Sequence, residues 1–152
     1  MAKIAPLWAL ALAALAGCGS SPQGSTSSAS ALSVDNADVR AKLREMALAA
    51  STRDGVTSPT SIRAAGALDH QVAEQALSGD IVNDHTLVFA VVVEGGTFVD
   101  NNASVPPGAA APQGHFLTLM ADARDFQGLD YGLSDVEPNW SLLGSKIVNI
   151  QP

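Results

Sequence analysis

Three histidines, one cysteine and a run of carboxylates are the side chains of this chain best equipped for chemistry. The histidines are His70, His85 and His115. Residues 86–94 and 115–123 read as neighbouring antiparallel strands, which would set His85 near Asp122 and His115 near Glu94, at opposite ends of a sheet. A three-histidine zinc centre is therefore not expected, and all three read as solvated strand-end histidines. Asp122, Asp125 and Asp130 surround one turn, with Asp135 and Glu137 following. Clustered carboxylates can hold calcium or serve as acid and base. The run Asp122–Asp130 (DARDFQGLD) lacks the alternating oxygens, the sixth-position glycine and the terminal glutamate of a calcium loop, and Arg124 offsets its charge. Solvated turn carboxylates are the reading adopted, with a metal-dependent or acid–base hydrolase using Asp122, Asp125 and His85 as the alternative. No Gly-x-Ser-x-Gly elbow and no Gly-x-x-x-x-Gly-Lys phosphate loop occurs. No catalytic residue, metal ligand or cofactor is assigned on these grounds.

Cys18 is of a different kind. It follows the apolar run Ile4–Ala16, which has Lys3 as the lone charge before it, and it precedes a Ser-rich stretch. A helix of that length rises about 20 Å, short of the roughly 30 Å hydrocarbon core, so the run reads as a signal peptide rather than a span. Leu15-Ala16-Gly17-Cys18 resembles the lipobox of bacterial lipoproteins. That resemblance implies cleavage before Cys18, a diacylglycerol thioether on its sulfur and a further acyl chain such as palmitate on its new amine. Two or more chains anchor a protein stably to a membrane. An acylated Cys18 would leave no thiol, which removes disulfides, cysteine-ligated zinc and a cysteine nucleophile from consideration.

Three segments follow from this reading: 1–17 as signal peptide, 18–34 as a lipidated cysteine with a flexible tether, and 35–152 as one domain. Residues 19–33 (GSSPQGSTSSASALS) bury too little to offset the entropy of ordering. Removing residues 1–17 takes away Lys3 alone, leaving seven basic against fifteen acidic side chains and a net charge near −8. A surface this acidic suits neither nucleic acid nor anionic headgroups. The lipid, not the surface, would hold the protein at a cell or outer membrane, its domain outside the cytoplasm.

The elements that must position any site read as follows. Asp35 and Asn36 can cap a helix over about Ala37–Ala50, with Val39, Leu43, Met46, Ala47 and Ala50 on one face. Thr60–Ala67 is a short strand. Asp69–Leu77 is a second helix with Val72, Ala73, Ala76 and Leu77 inward, and Gly79 stands where a C-cap belongs. Thr86–Glu94 (TLVFAVVVE) is β-branched and continuously apolar, a central strand covered on both faces, ended by Gly95-Gly96. A long turn-rich loop spans Thr97–Gly114. Phe116–Ala123, Leu129–Leu133 and Lys146–Ile150 complete the strands, with a loop or single helical turn at Asp135–Gly144. The order predicts an α+β fold: one small domain with a mainly antiparallel sheet of about four to five strands and one or two helices packed on one face. What covers the second face of Thr86–Glu94, a loop or a partner, is left open.

The hairpin Leu117–Leu133, with Asp122-Ala123 entering its turn, is similar to that of PepSY-type and cystatin-like envelope domains, although the usual Thr-Gly after Asp-Ala is replaced by Asp125-Phe126-Gln127-Gly128. The chain also looks like small secreted actinobacterial proteins, on Pro59-Thr60-Ser61-Ile62, Pro107-Gly108 and Leu142-Leu143-Gly144. The resemblance implies a non-catalytic interaction or inhibitory module. The expectation is thus a lipid-anchored envelope protein that binds an envelope protein or component, with a carrier of an apolar ligand as a further alternative. Loop 97–114, with Pro106 and Pro107, and Trp140 are the candidate interaction features. A tryptophan in a turn can anchor a partner or close the open face of a small sheet.

Overall fold

The computed structural model describes residues 33–152. Segment 1–17, expected as a signal peptide, Cys18 and almost all of the expected tether lie outside the described residues. The chain folds as helix α1 (Ala37–Arg53), strand β1 (Ser61–Asp69), helix α2 (His70–Leu77), then strands β2 (Leu87–Val99), β3 (Gln113–Asp122), β4 (Gly128–Ser134) and β5 (Ile147–Ile150). The sheet order is β4-β3-β2-β1-β5, antiparallel at every pairing. This is the α+β class expected, at five strands and two helices.

β2 lies at the centre, apolar without interruption from Leu87 to Val93. Its alternate residues feed two cores. Phe89, Val91 and Val93 meet Val39, Leu43 and Ala47 of α1, while Val88, Ala90 and Val92 meet Ala73 and Leu77 of α2. The two helices thus divide between the faces instead of sharing one. The second face is completed by the chain itself: the segment joining β4 to β5 crosses the sheet from edge to edge, and its 3-10 turn Trp140–Leu143 buries Trp140 and Leu143 beside α2. Arg63 pins this crossover through a 2.6 Å ion pair with Glu137 and a stack over the Trp140 ring at 5.3 Å.

Asn36 caps α1 by accepting from the backbone of Asp38 and Val39, and the helix runs past Ala50 to Arg53. Gly79, at φ +83°, ends α2 in the left-handed conformation as expected. Gly95-Gly96 does not end β2. These residues form a bulge, with register shifting between Glu94 and Phe98, and the strand continues to Val99 so that Phe98 is fully buried. Gly95 is required there: φ is +142°, and a Cβ would lie 2.6 Å from the Thr60 nitrogen. The connecting loop consequently shrinks from 97–114 to 100–112. It is closed at its base by Asp100 N–H donating to the Pro112 carbonyl at 2.9 Å.

Candidate functional site

The side chains with most chemical potential converge where α2 begins. Asp69 ends β1 and caps α2, its carboxylate accepting from Val72 N–H, so that His70 is the first helical residue. The buried stripe of α2 is His70, Ala73, Glu74 and Leu77, the i, i+3, i+4, i+7 positions of one helix face. Val72, expected inward, is 48% exposed. His70 is therefore not a solvated strand-end residue: its side chain is only 5% exposed, and that of Glu74 only 7%.

Each nitrogen of the His70 ring faces carboxylates. Nδ1 is 2.8 Å from Asp84 Oδ2. Asp84 comes from the α2–β2 loop, which folds back because Gln71 N–H donates to the Asp84 carbonyl and His70 N–H to that of Thr86. The other Asp84 oxygen accepts from the Thr86 N–H and hydroxyl. These bonds to the anion, the one from His70 foremost, hold the Asp84 carboxyl down at about 2. On the far side, Nε2 lies 3.8 Å from Glu74 Oε1 and 3.4 Å from Asp130 Oδ2. Neither oxygen is aligned for a hydrogen bond, so Nε2 is buried with no partner among the described residues. Glu74 Oε2 accepts from the Ser78 hydroxyl at 2.6 Å, which turns Oε1 toward the imidazole. Asp130 sits opposite Met120 on β4, on the α2 face, and its side chain is 44% exposed. One ligand atom each from His70, Glu74 and Asp130 fall within 4.8 Å of one another.

The residues singled out from sequence are distributed differently. The register sets Asp122 opposite Val88, and Arg124 holds Asp122 with paired bonds of 3.1 and 2.7 Å, which keeps that carboxyl below its usual range. Asp125 accepts from Gln127 N–H within its turn. His85 pairs with Asp69 at 2.8 Å rather than with Asp122, and His115 pairs with Asp135 at 2.9 Å rather than with Glu94. Both of these histidines are exposed, as expected. The structure therefore commits Asp122, Asp125 and His85 to three separate local contacts. Trp140 is 9% exposed and closes the second face of the sheet. Pro106 and Pro107 stand exposed in a turn: Ala109 N–H donates to the Pro106 carbonyl with Gly108 at φ +83°, the type II arrangement.

His70 reads from sequence as a solvated strand-end residue, and neither Glu74 nor Asp84 stands out there. The available signal was the spacing of His70 and Glu74, four apart on the stripe already marked by Ala73 and Leu77. No family model matches the chain, and no curated protein or solved structure matches it.

Proposed function

We propose that the protein is a lipid-anchored component of the cell envelope whose domain serves as a non-catalytic binding module for another envelope protein or component. The observation that carries this reading is the Leu15-Ala16-Gly17-Cys18 motif between an apolar run and a Ser-rich segment, placed immediately before one small folded domain. The acidic balance supports attachment through lipid rather than through charge. Among the described residues no helix is long and apolar enough to cross a membrane.

Loop 100–112 supports the binding part of the reading. Nearly all of it is solvent-exposed, yet it is closed at its base and shaped by the Pro106–Ala109 turn. A loop already held in one shape loses little entropy when a partner docks on it. Trp140, by contrast, is occupied as a cover for the sheet, which leaves Pro106 and Pro107 as the presented candidates. The test is membrane fractionation of the wild type and Cys18→Ser. The wild type should sediment with membranes and require detergent for release, whereas Cys18→Ser should be soluble and folded. Retention of Cys18→Ser on membranes would refute the anchor.

A further inference from the structure

We propose that His70, Glu74 and Asp130 bind a divalent first-row transition-metal ion, with Zn2+ the ion their donor set suits, and that Asp84 is the positioning residue of this site. The inference stands on the geometry around α2 and is independent of the anchor.

Charge comes first. Two carboxylates face one imidazole nitrogen, and Glu74 is almost wholly buried. A buried carboxylate is costly unless paired, and one hydroxyl from Ser78 is a weak counterpart to a full charge. A divalent cation among Nε2, Oε1 and Oδ2 would balance both carboxylates and supply the partner that Nε2 lacks.

Distance comes second. Tetrahedral zinc with bonds of about 2.0–2.2 Å to nitrogen and oxygen places its ligand atoms about 3.3–3.6 Å apart. Nε2 to Asp130 Oδ2 is 3.4 Å, and Nε2 to Glu74 Oε1 is 3.8 Å. Both separations from Nε2 are thus within a few tenths of an ångström of that value. Since the three ligand atoms lie within 4.8 Å of one another, closing Glu74 and Asp130 onto one ion takes a shift of at most about 1.5 Å, which the half-exposed Asp130 side chain can supply. With three protein ligands the ion would keep a fourth position for water, and the half-exposed Asp130 side is where water can reach it.

Orientation comes third. Metal-binding histidines donate their other N–H to a carboxylate or carbonyl, which fixes the tautomer and raises basicity. Asp84 stands in that position on Nδ1 at 2.8 Å, and Thr86 in turn holds Asp84. Ser78 does the same for Glu74 by occupying Oε2. One imidazole with two carboxylates selects zinc or a neighbouring first-row ion over calcium and magnesium, which prefer all-oxygen shells.

The test uses the full chain, purified in detergent, stripped with chelator and titrated calorimetrically with ZnCl2. One ion per chain is expected. Asp130→Asn, whose half-exposed side chain makes it a mild change to the fold, should weaken binding at least tenfold, as should His70→Gln and Glu74→Gln. Asp84→Asn keeps the acceptor for Thr86 but presents an amide N–H to Nδ1, which forces the ring proton onto Nε2. It should weaken zinc about 10–100-fold, and Asp84→Glu should restore part of the loss. The Co2+-loaded wild type should show the visible absorption of a low-coordinate nitrogen- and oxygen-ligated ion, a signature that Asp84→Asn should also diminish. The double variant His85→Ala, His115→Ala should bind as the wild type does. Absence of binding by the wild type, or binding unchanged in Asp130→Asn, or binding lost in the His85/His115 double variant, overturns the site.

Discussion

The phenol of Tyr131 donates to Asp54 Oδ2 at 2.7 Å, joining the end of α1 to edge strand β4 across 77 residues of chain. Asp54 is 1% exposed and also accepts from the Arg53 guanidinium, which lies over the Tyr131 ring at 4.7 Å. Burial, and then the Asp54 carboxylate, pushes the phenol well above the usual tyrosine range. Tyr131→Phe should cost about 1–3 kcal/mol, because it removes the shorter of the two hydrogen bonds to a buried, charged carboxylate oxygen and leaves it only Arg53 Nη2 at 3.2 Å. Urea unfolding checks this. An unchanged midpoint would mean that Arg53 alone satisfies Asp54.

Gly66 marks the tightest approach inside the α1-side core. A Cβ there would lie 2.5 Å from the Val34 side chain and 2.6 Å from the Phe89 ring. Phe89 cannot retreat freely, since it stacks on Phe126 with centroids 5.5 Å apart. Gly66→Ala should destabilise by about 1–3 kcal/mol through overpacking. Gly132→Ala on β4, where nothing lies within 4 Å, should be neutral to within about 0.5 kcal/mol. Thermal melts of the two variants side by side separate crowding from a general intolerance of glycine replacement.

Acid should loosen the end of the sheet where β3 turns. Arg124 depresses the Asp122 carboxyl, and His85 depresses that of Asp69. A group whose folded value lies below its unfolded one stabilises the fold above the unfolded value, near 3.8 for both. That contribution is lost as pH falls through the depressed folded value. Stability should therefore hold down to about pH 4 and decline below it, and Asp122→Asn should flatten the decline while lowering stability at pH 7. Denaturant midpoints between pH 2 and pH 7 supply the comparison. A profile identical in wild type and Asp122→Asn would show that Arg124 does not hold the carboxylate.

Loop 100–112 should be separable from the fold. Asp100 and Pro112 already meet through a backbone hydrogen bond from the Asp100 N–H, so a short glycine-containing linker can replace residues 101–111. The melting temperature should move by no more than a few degrees, while capture of the proposed envelope partner by the full-length protein should be abolished. Undiminished capture would place the binding surface elsewhere on the domain.

The contrast between α1 and α2 shows how far residue pattern alone carries. α1 was legible because its apolar residues outnumber the alternatives on one face and Asn36 is a strong cap. β2 was legible because only a two-sided strand tolerates Leu87–Val93 without a polar residue. In α2 the same counting misleads, since it rewards Val72 and penalises His70 and Glu74. His70 turns inward because Asp84 and Asp130 wait for it, 14 and 60 residues further along, and Glu74 lies on the same helix face with its carboxylate held by Ser78; no local pattern encodes the meeting at His70. Gly95-Gly96 reads locally as a stop, but the buried Phe98 beyond it converts the pair into a bulge. The cover of the second face depends on a crossover from one sheet edge to the other, which is a property of the whole topology.

The measurement closest to the central claim is the mass of the N-terminal peptide released from membrane-purified protein. A lipid-anchored envelope protein should yield a peptide that begins at Cys18, lacks residues 1–17 and carries the added mass of a diacylglycerol group with or without a further acyl chain. A peptide that begins at Met1, or an unmodified one beginning at any residue near Cys18, would contradict the account.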